Sequence, residues 1–177
     1  MTQACEEIRT QYDQRIKDIV QIQRQERREA IFFVYEDGST SKVFKGDETS
    51  ISLTGDQQKK ILNQGTLQYS VHTHPHGLDL STVDIMTGIL TQQDAMCVAI
   101  PRRENEAIMA QNEYVLTCLE MSKLTMPERQ MLFRAMRRSS AGLTVLGRLT
   151  RKNFNLSRFR VDGCRTVMVE SNQTPKP

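Results

Sequence analysis

The sequence predicts a single α/β domain, a mixed β-sheet flanked by helices. Two observations carry this. Segments with apolar residues at helical spacing alternate with short apolar strands and hairpins, and no repeat or clear linker divides the chain. At 177 residues the chain is also long enough for one domain with its own core. The domain is read as 1–170, with a core over about 1–124, a helical and hairpin extension over 125–170 and a loose tail over 171–177.

Residues 3–28 read as a helix, because Ile8, Tyr12, Ile16, Ile19 and Val20 recur at helical spacing among charges and glutamines. Ile31 to Val34 is a strand-like run. Asp37-Gly38 is a turn signal, and Ser41 to Lys45 returns as a second strand, giving a hairpin. Thr54 and Gln57 form a capping-box pattern that starts a helix over Asp56 to Asn63, closed by Gly65. Thr66 to His74 is a strand, ended by Pro75, which holds His74 extended. Ser81 to Thr91 is a helix. Ala95 to Ile100 and Ala107 to Ala110 read as a strand pair around Arg102–Glu106, and Glu113 to Lys123 as a helix. Thr125, Pro127 and Glu128 open another helix, with Met131, Leu132, Ala135 and Met136 on its apolar face. Phe159 to Val161 and Thr166 to Val169 flank Asp162-Gly163, a second hairpin signal.

Composition excludes several classes. No apolar run reaches the length of a membrane span, so no membrane partner is expected. The first residues are polar and charged, without a secretory pattern, so the expected compartment is the cytoplasm. Cys5, Cys97, Cys118 and Cys164 are far apart and form no CxxC pair, so neither a disulfide framework nor a structural zinc knot is expected. Cys97 reads as a core residue. A cysteine nucleophile would have to share the same three histidines discussed next. From Arg129 to Arg165 the chain carries ten Arg or Lys residues against one acid, Asp162. This reads first as a solvated face with snorkelling side chains. A surface for nucleic acid or an acidic partner is the sharper alternative, but no aromatic-interleaved basic motif supports nucleic acid.

The chemistry concentrates at Val71-His72-Thr73-His74-Pro75-His76, which holds every histidine in the chain. Residues two apart on a strand share a face, so His72 and His74 present two imidazoles side by side. His76 lies beyond the proline and is not expected to join them. The stretch His76 to Leu80 can fold back to start a helix at Ser81, which puts Asp84 one turn in, aimed at the histidines. Two imidazole nitrogens and one carboxylate oxygen leave one tetrahedral position of a zinc ion open for water, the arrangement of a catalytic site. One Zn2+ per chain is the expected cofactor. The zinc-bound water needs a carboxylate base that is near the metal without binding it. Glu29, which opens the strand Ala30 to Val34, is the first choice, and Glu36, at the far end of that strand, is the second. Ser81 and Asp84 also form a Ser-x-x-Asp capping box, which is compatible with Asp84 being a ligand.

Glu29-Ala-Ile-Phe-Phe-Val, followed by His72-Thr-His74-Pro and Ser81-Thr-Val-Asp84, resembles the JAMM/MPN+ motif of zinc metalloproteases. The resemblance runs from the first helix to about residue 111 and is sharpest over 71–85. Six residues separate His74 from Ser81, where that family usually has seven. The family includes deubiquitinating and related isopeptidases, and prokaryotic enzymes acting on ubiquitin-like or sulfur-carrier proteins. The resemblance implies a layered fold of the JAMM/cytidine-deaminase type, with His72, His74 and Asp84 as ligands and Glu29 as general acid/base. It implies that Ser81 donates a hydrogen bond to the oxyanion. It also implies hydrolysis of a peptide or isopeptide bond at the C-terminus of a ubiquitin-like protein. The reading from another class is a non-catalytic MPN-type scaffold that uses the basic C-terminal segment to bind an acidic partner.

Overall fold

The computed structural model of the chain describes residues 3–75, 79–103, 113–138 and 153–172. Among the described residues eleven elements follow in order: α1 (Ala4–Glu26), β1 (Ala30–Tyr35), β2 (Phe44–Lys45), α2 (Gly55–Gln64), β3 (Leu67–Thr73), α3 (Thr82–Leu90), β4 (Ala95–Pro101), β5 (Tyr114–Glu120), α4 (Met126–Met136), β6 (Phe154–Val161) and β7 (Cys164–Ser171). The strands form one seven-stranded mixed sheet in the order β2-β1-β3-β4-β5-β7-β6. β3 runs parallel to β4 and β5 parallel to β7, while the other neighbours are antiparallel.

The sheet is covered on both faces. Ile8, Ile16, Ile19 and Val20 of α1 pack on Phe32, Val34, Val71, Cys97 and Leu116. On the opposite face Ile85 and Ile89 of α3 and Leu132 and Met136 of α4 cover Met96, Val98, Leu119 and Val167. Phe33, Tyr35 and Leu67 meet Ile61 of α2 at one side of that second face. Residues two apart along each strand therefore belong to the same layer, and those one apart to opposite layers. The helix expected from the first segment forms, but Tyr12 leaves helical geometry at φ −126°, and its hydroxyl donates to the Gly38 carbonyl at 3.1 Å.

Three expectations need correction. Glu113 to Lys123 is not helical, since most of it is β5. Tyr114, Leu116 and Cys118 pack under α1 while Thr117 and Leu119 face the other layer. A central strand covered on both sides loses its polar alternation, so period alone cannot separate it from a buried helix. The second strand of the first hairpin is short, with only Phe44 and Lys45 pairing with β1 and one isolated bridge from Val34 to Thr40. The cysteines are paired: Cys97 with Cys118 across β4 and β5, at a Cα separation of 4.1 Å, and Cys5 with Cys164, at 5.8 Å. Sheet register and layer contact bring these residues together, so their spacing in sequence carried no trace of the pairs. Met136 is fully buried, as is Met121 just past the end of β5, while Met126 at the start of α4 is exposed. The strand expected over Ala107 to Ala110 lies outside the described residues.

Candidate metal centre

Strand pairing assembles the site. The antiparallel register of β1 and β3 sets Ile31 opposite His72, so the start of β1 lies beside the end of β3. Glu29, just before β1, therefore meets the histidine pair. Its backbone is clamped on both sides: its N–H donates to the Asp47 carbonyl at 2.7 Å and its carbonyl accepts from Gly46 N at 2.8 Å. Gly46 has to be glycine, because a Cβ there would collide with the Ser50 carbonyl. Ala30 N donates to Thr73 Oγ1 at 3.0 Å, which ties the two strand ends together.

The parallel crossover from β3 through α3 to β4 brings in the third residue. Ser81 caps α3: its Oγ accepts from Asp84 N at 3.1 Å, and its own N–H donates to Asp84 Oδ2 at 2.7 Å. The cap fixes the carboxylate in front of the imidazoles. His72 Nε2 lies 3.2 Å from His74 Nε2 and 3.4 Å from Asp84 Oδ1, and His74 Nε2 lies 3.4 Å from Asp84 Oδ2. These donor atoms all fall within 4.8 Å of one another, the only such group of three among the described residues. The shortened loop before Ser81 thus still brings Asp84 to the histidines. His76 lies outside the described residues.

The donor set fits a small divalent cation. Both imidazoles turn Nε2 inward, and their other sides are held. His74 Nδ1 lies 3.0 Å from the Asp79 carbonyl, an acceptor that places the proton on Nδ1 and leaves Nε2 a free lone pair. His72 has a backbone hydrogen bond to Cys97 on β4. Without a cation the electrostatics are tense. Burial pulls His72 down, yet the Asp84 and Glu29 carboxylates outweigh it and leave its pKa raised. Burial and the neighbouring His72 lower that of His74. Burial pushes Asp84 up, but the two histidines and the Ser81 N–H hold it well below the usual carboxylate range.

Glu29 stands just outside this set. It is 4% exposed, and Oε1 is 3.9 Å from His74 Nε2. Burial pushes its carboxyl up to about 7, with Asp84 and Asp47 adding to the effect and His72 opposing it. Glu36 is exposed at the other end of β1, where its N–H bonds the Thr66 carbonyl, so antiparallel pairing carries it away from the histidines.

One contributor had no readable signal in sequence. Asp79 supplies the carbonyl that orients His74, a role for its backbone that no residue type announces. Its carboxylate caps Leu80 N at 2.8 Å and contacts Arg165. Away from the site, Arg129 of the basic segment is buried and not a solvated charge. It donates to the carbonyls of Gln93 (2.6 Å), Met121 (3.0 Å) and Leu124 (3.3 Å).

Comparison with protein-family models, curated proteins and solved structures returns no match to this chain. No described helix is long and apolar enough to cross a membrane.

Proposed function

We propose that this protein is a zinc-dependent peptidase or isopeptidase of the JAMM type, acting at the C-terminal tail of a ubiquitin-like or sulfur-carrier protein. The observation that carries the reading is Glu29, a buried carboxylate 3.9 Å from His74 Nε2 and outside the three-residue donor set. A purely structural metal site has no use for such a group. His72, His74 and Asp84 are the residues that hold the cation. Zinc bound there supplies a Lewis acid and a more acidic water. Glu29, whose proton affinity is near neutrality, takes the proton of the attacking water and returns it to the leaving nitrogen. Ser81 uses its oxygen to accept from Asp84 N, which leaves its hydroxyl hydrogen to donate to the developing oxyanion. The ubiquitin-like substrate rests on the motif resemblance.

The test is metal analysis joined to cleavage of a ubiquitin-like fusion. The expected outcome is about one zinc per chain, turnover that chelator abolishes, and Glu29→Gln inactive with its zinc retained. A purified protein that binds no zinc ends the reading. Bound zinc with no turnover on any peptide or isopeptide substrate favours the scaffold alternative instead.

A further inference from the structure

A cleft of about 530 Å³ opens on the sheet face that carries His72, and its walls include Asp79, Ile100, Arg102, Thr117, Arg160 and Arg165. Strand register ties it to the metal centre. His72 pairs with Val98, Val98 with Thr117, Thr117 with Arg165 and Arg165 with Arg160. These five residues form one row across the sheet, with all side chains on one face. The row starts at the metal centre and ends in two guanidinium groups.

The charges along it are incompletely matched. Arg165 contacts Asp79, and Arg102 Nη2 lies 3.4 Å from Asp162 Oδ1. Arg160 stands directly opposite Arg165, a like-charge pairing that costs stability, and has no acidic partner among the described residues. The Nε atoms of Arg102 and Arg165 are buried without a hydrogen-bond partner among the described residues. Among the described residues the cleft sets three guanidinium groups against the two carboxylates of Asp79 and Asp162, with Ile100, Val115 and Val161 beside them, which suits an oxyanion on an otherwise apolar segment.

We infer that this cleft is a substrate subsite for a carboxylate, read by Arg160 and Arg165. The inference rests on the peptidase reading for its ligand class, a peptide. Three strand spacings separate His72 from Arg165, about 14 Å. An extended peptide covers that in about four residues. The carboxylate therefore belongs about four residues from the scissile bond, as an acidic side chain or as the peptide's own terminal carboxyl. Asp79 links the two sites, because it pairs with Arg165 through its carboxylate and orients His74 through its carbonyl. A carboxylate that competes for Arg165 acts on the residue that aims a metal ligand.

Calorimetric titration of the full chain tests this, with chelator present so that no turnover consumes the peptide. Three peptides of one sequence separate the two sources. One has a glutamate about four residues from the cleavable position and an amidated end, one has glutamine there and a free carboxyl end, and one has glutamine and an amidated end. The expected result is that one of the carboxylate peptides binds at least about tenfold more tightly than the neutral one, and which one identifies the source. Arg160→Gln, on an exposed strand, removes that preference, while Arg158→Gln, two residues away and outside the cleft, keeps it. Equal binding of all three peptides, no binding of any, or equal effects of the two arginine variants overturns the inference. Loss of cleavage in a separate assay without loss of this binding counts against the peptidase reading alone.

Discussion

Glu29→Gln should change how the metal-free protein responds to pH, and the size of the change follows from burial. The Glu29 carboxyl sits at about 7 in the folded chain against 4.5 in the open one. The folded state therefore keeps this proton over a range where the unfolded state has released it. The stability that Glu29 contributes is complete below pH 4.5 and is lost as pH rises through about 7. The gap is about 2.5 pH units, and at about 1.4 kcal/mol per unit it amounts to about 3 kcal/mol. Glutamine cannot titrate, so the variant should gain about 3 kcal/mol on the wild type between pH 4.5 and 8, or roughly 6–12 °C in Tm. Urea unfolding of both proteins in chelator, in steps across that range, measures the difference directly. His72, His74 and Asp84 titrate in both proteins, so their main contributions drop out of the comparison. Zinc should shrink the effect, because a nearby cation favours the ionised carboxylate. Parallel pH profiles for the two metal-free proteins would refute the burial argument.

Zinc at 100 times its Kd should raise stability by about 2.7 kcal/mol, a Tm shift of roughly 5–11 °C. Asp84→Asn should flatten that shift, as read by thermal unfolding with and without metal. Ser81→Ala should cost about 1 kcal/mol for the lost helix cap. If Ser81 also serves the oxyanion, turnover of the folded variant falls about a hundredfold, and unchanged kcat leaves the residue as a cap alone. Arg129→Met should strand the carbonyls of Gln93 and Leu124 without their guanidinium donor, while that of Met121 keeps the Leu124 N–H at 3.0 Å. At about 1–3 kcal/mol for each of these two buried groups, a loss of roughly 2 kcal/mol or more is expected in denaturant unfolding. A loss under about 1 kcal/mol would mean that water replaces the guanidinium.

Most of the metal centre was legible because its parts are local. His72 and His74 are two apart on a strand, and Ser81 and Asp84 span one helix cap, so side-chain periodicity alone predicts their directions. Glu29 was the weaker case, a glutamate in a charged run at a helix end. Only the antiparallel register of β1 and β3 shows that it, and not Glu36, lies beside the histidines. What stayed hidden was non-local or carried by backbone. The carbonyls of Asp79 and Cys97 orient imidazoles without leaving a mark in residue type. The two cysteine pairs depend on which strands become neighbours. β5 looked helical because burial on both faces removed its alternation. Arg129 looked like surface charge because its three acceptors are main-chain atoms.

The sheet order has a consequence for assembly. β7 lies between β5 and β6, and Cys5 near the start of α1 is joined to Cys164 at the start of β7, 159 residues later. Cys5 N also donates to Thr166 Oγ1 at 3.2 Å. A chain leaving the ribosome presents β1, β3 and α3, and so every proposed metal ligand, well before β7 is made. The exposed flank of β5 and part of the α1 face must then wait for the last hairpin. The contact between the two ends of the chain is among the most non-local in the fold, the kind that forms slowly. Metal capture and completion of the sheet are thus separable in time, and a nascent chain halted before β7 would carry the zinc ligands on a sheet that still has an open edge.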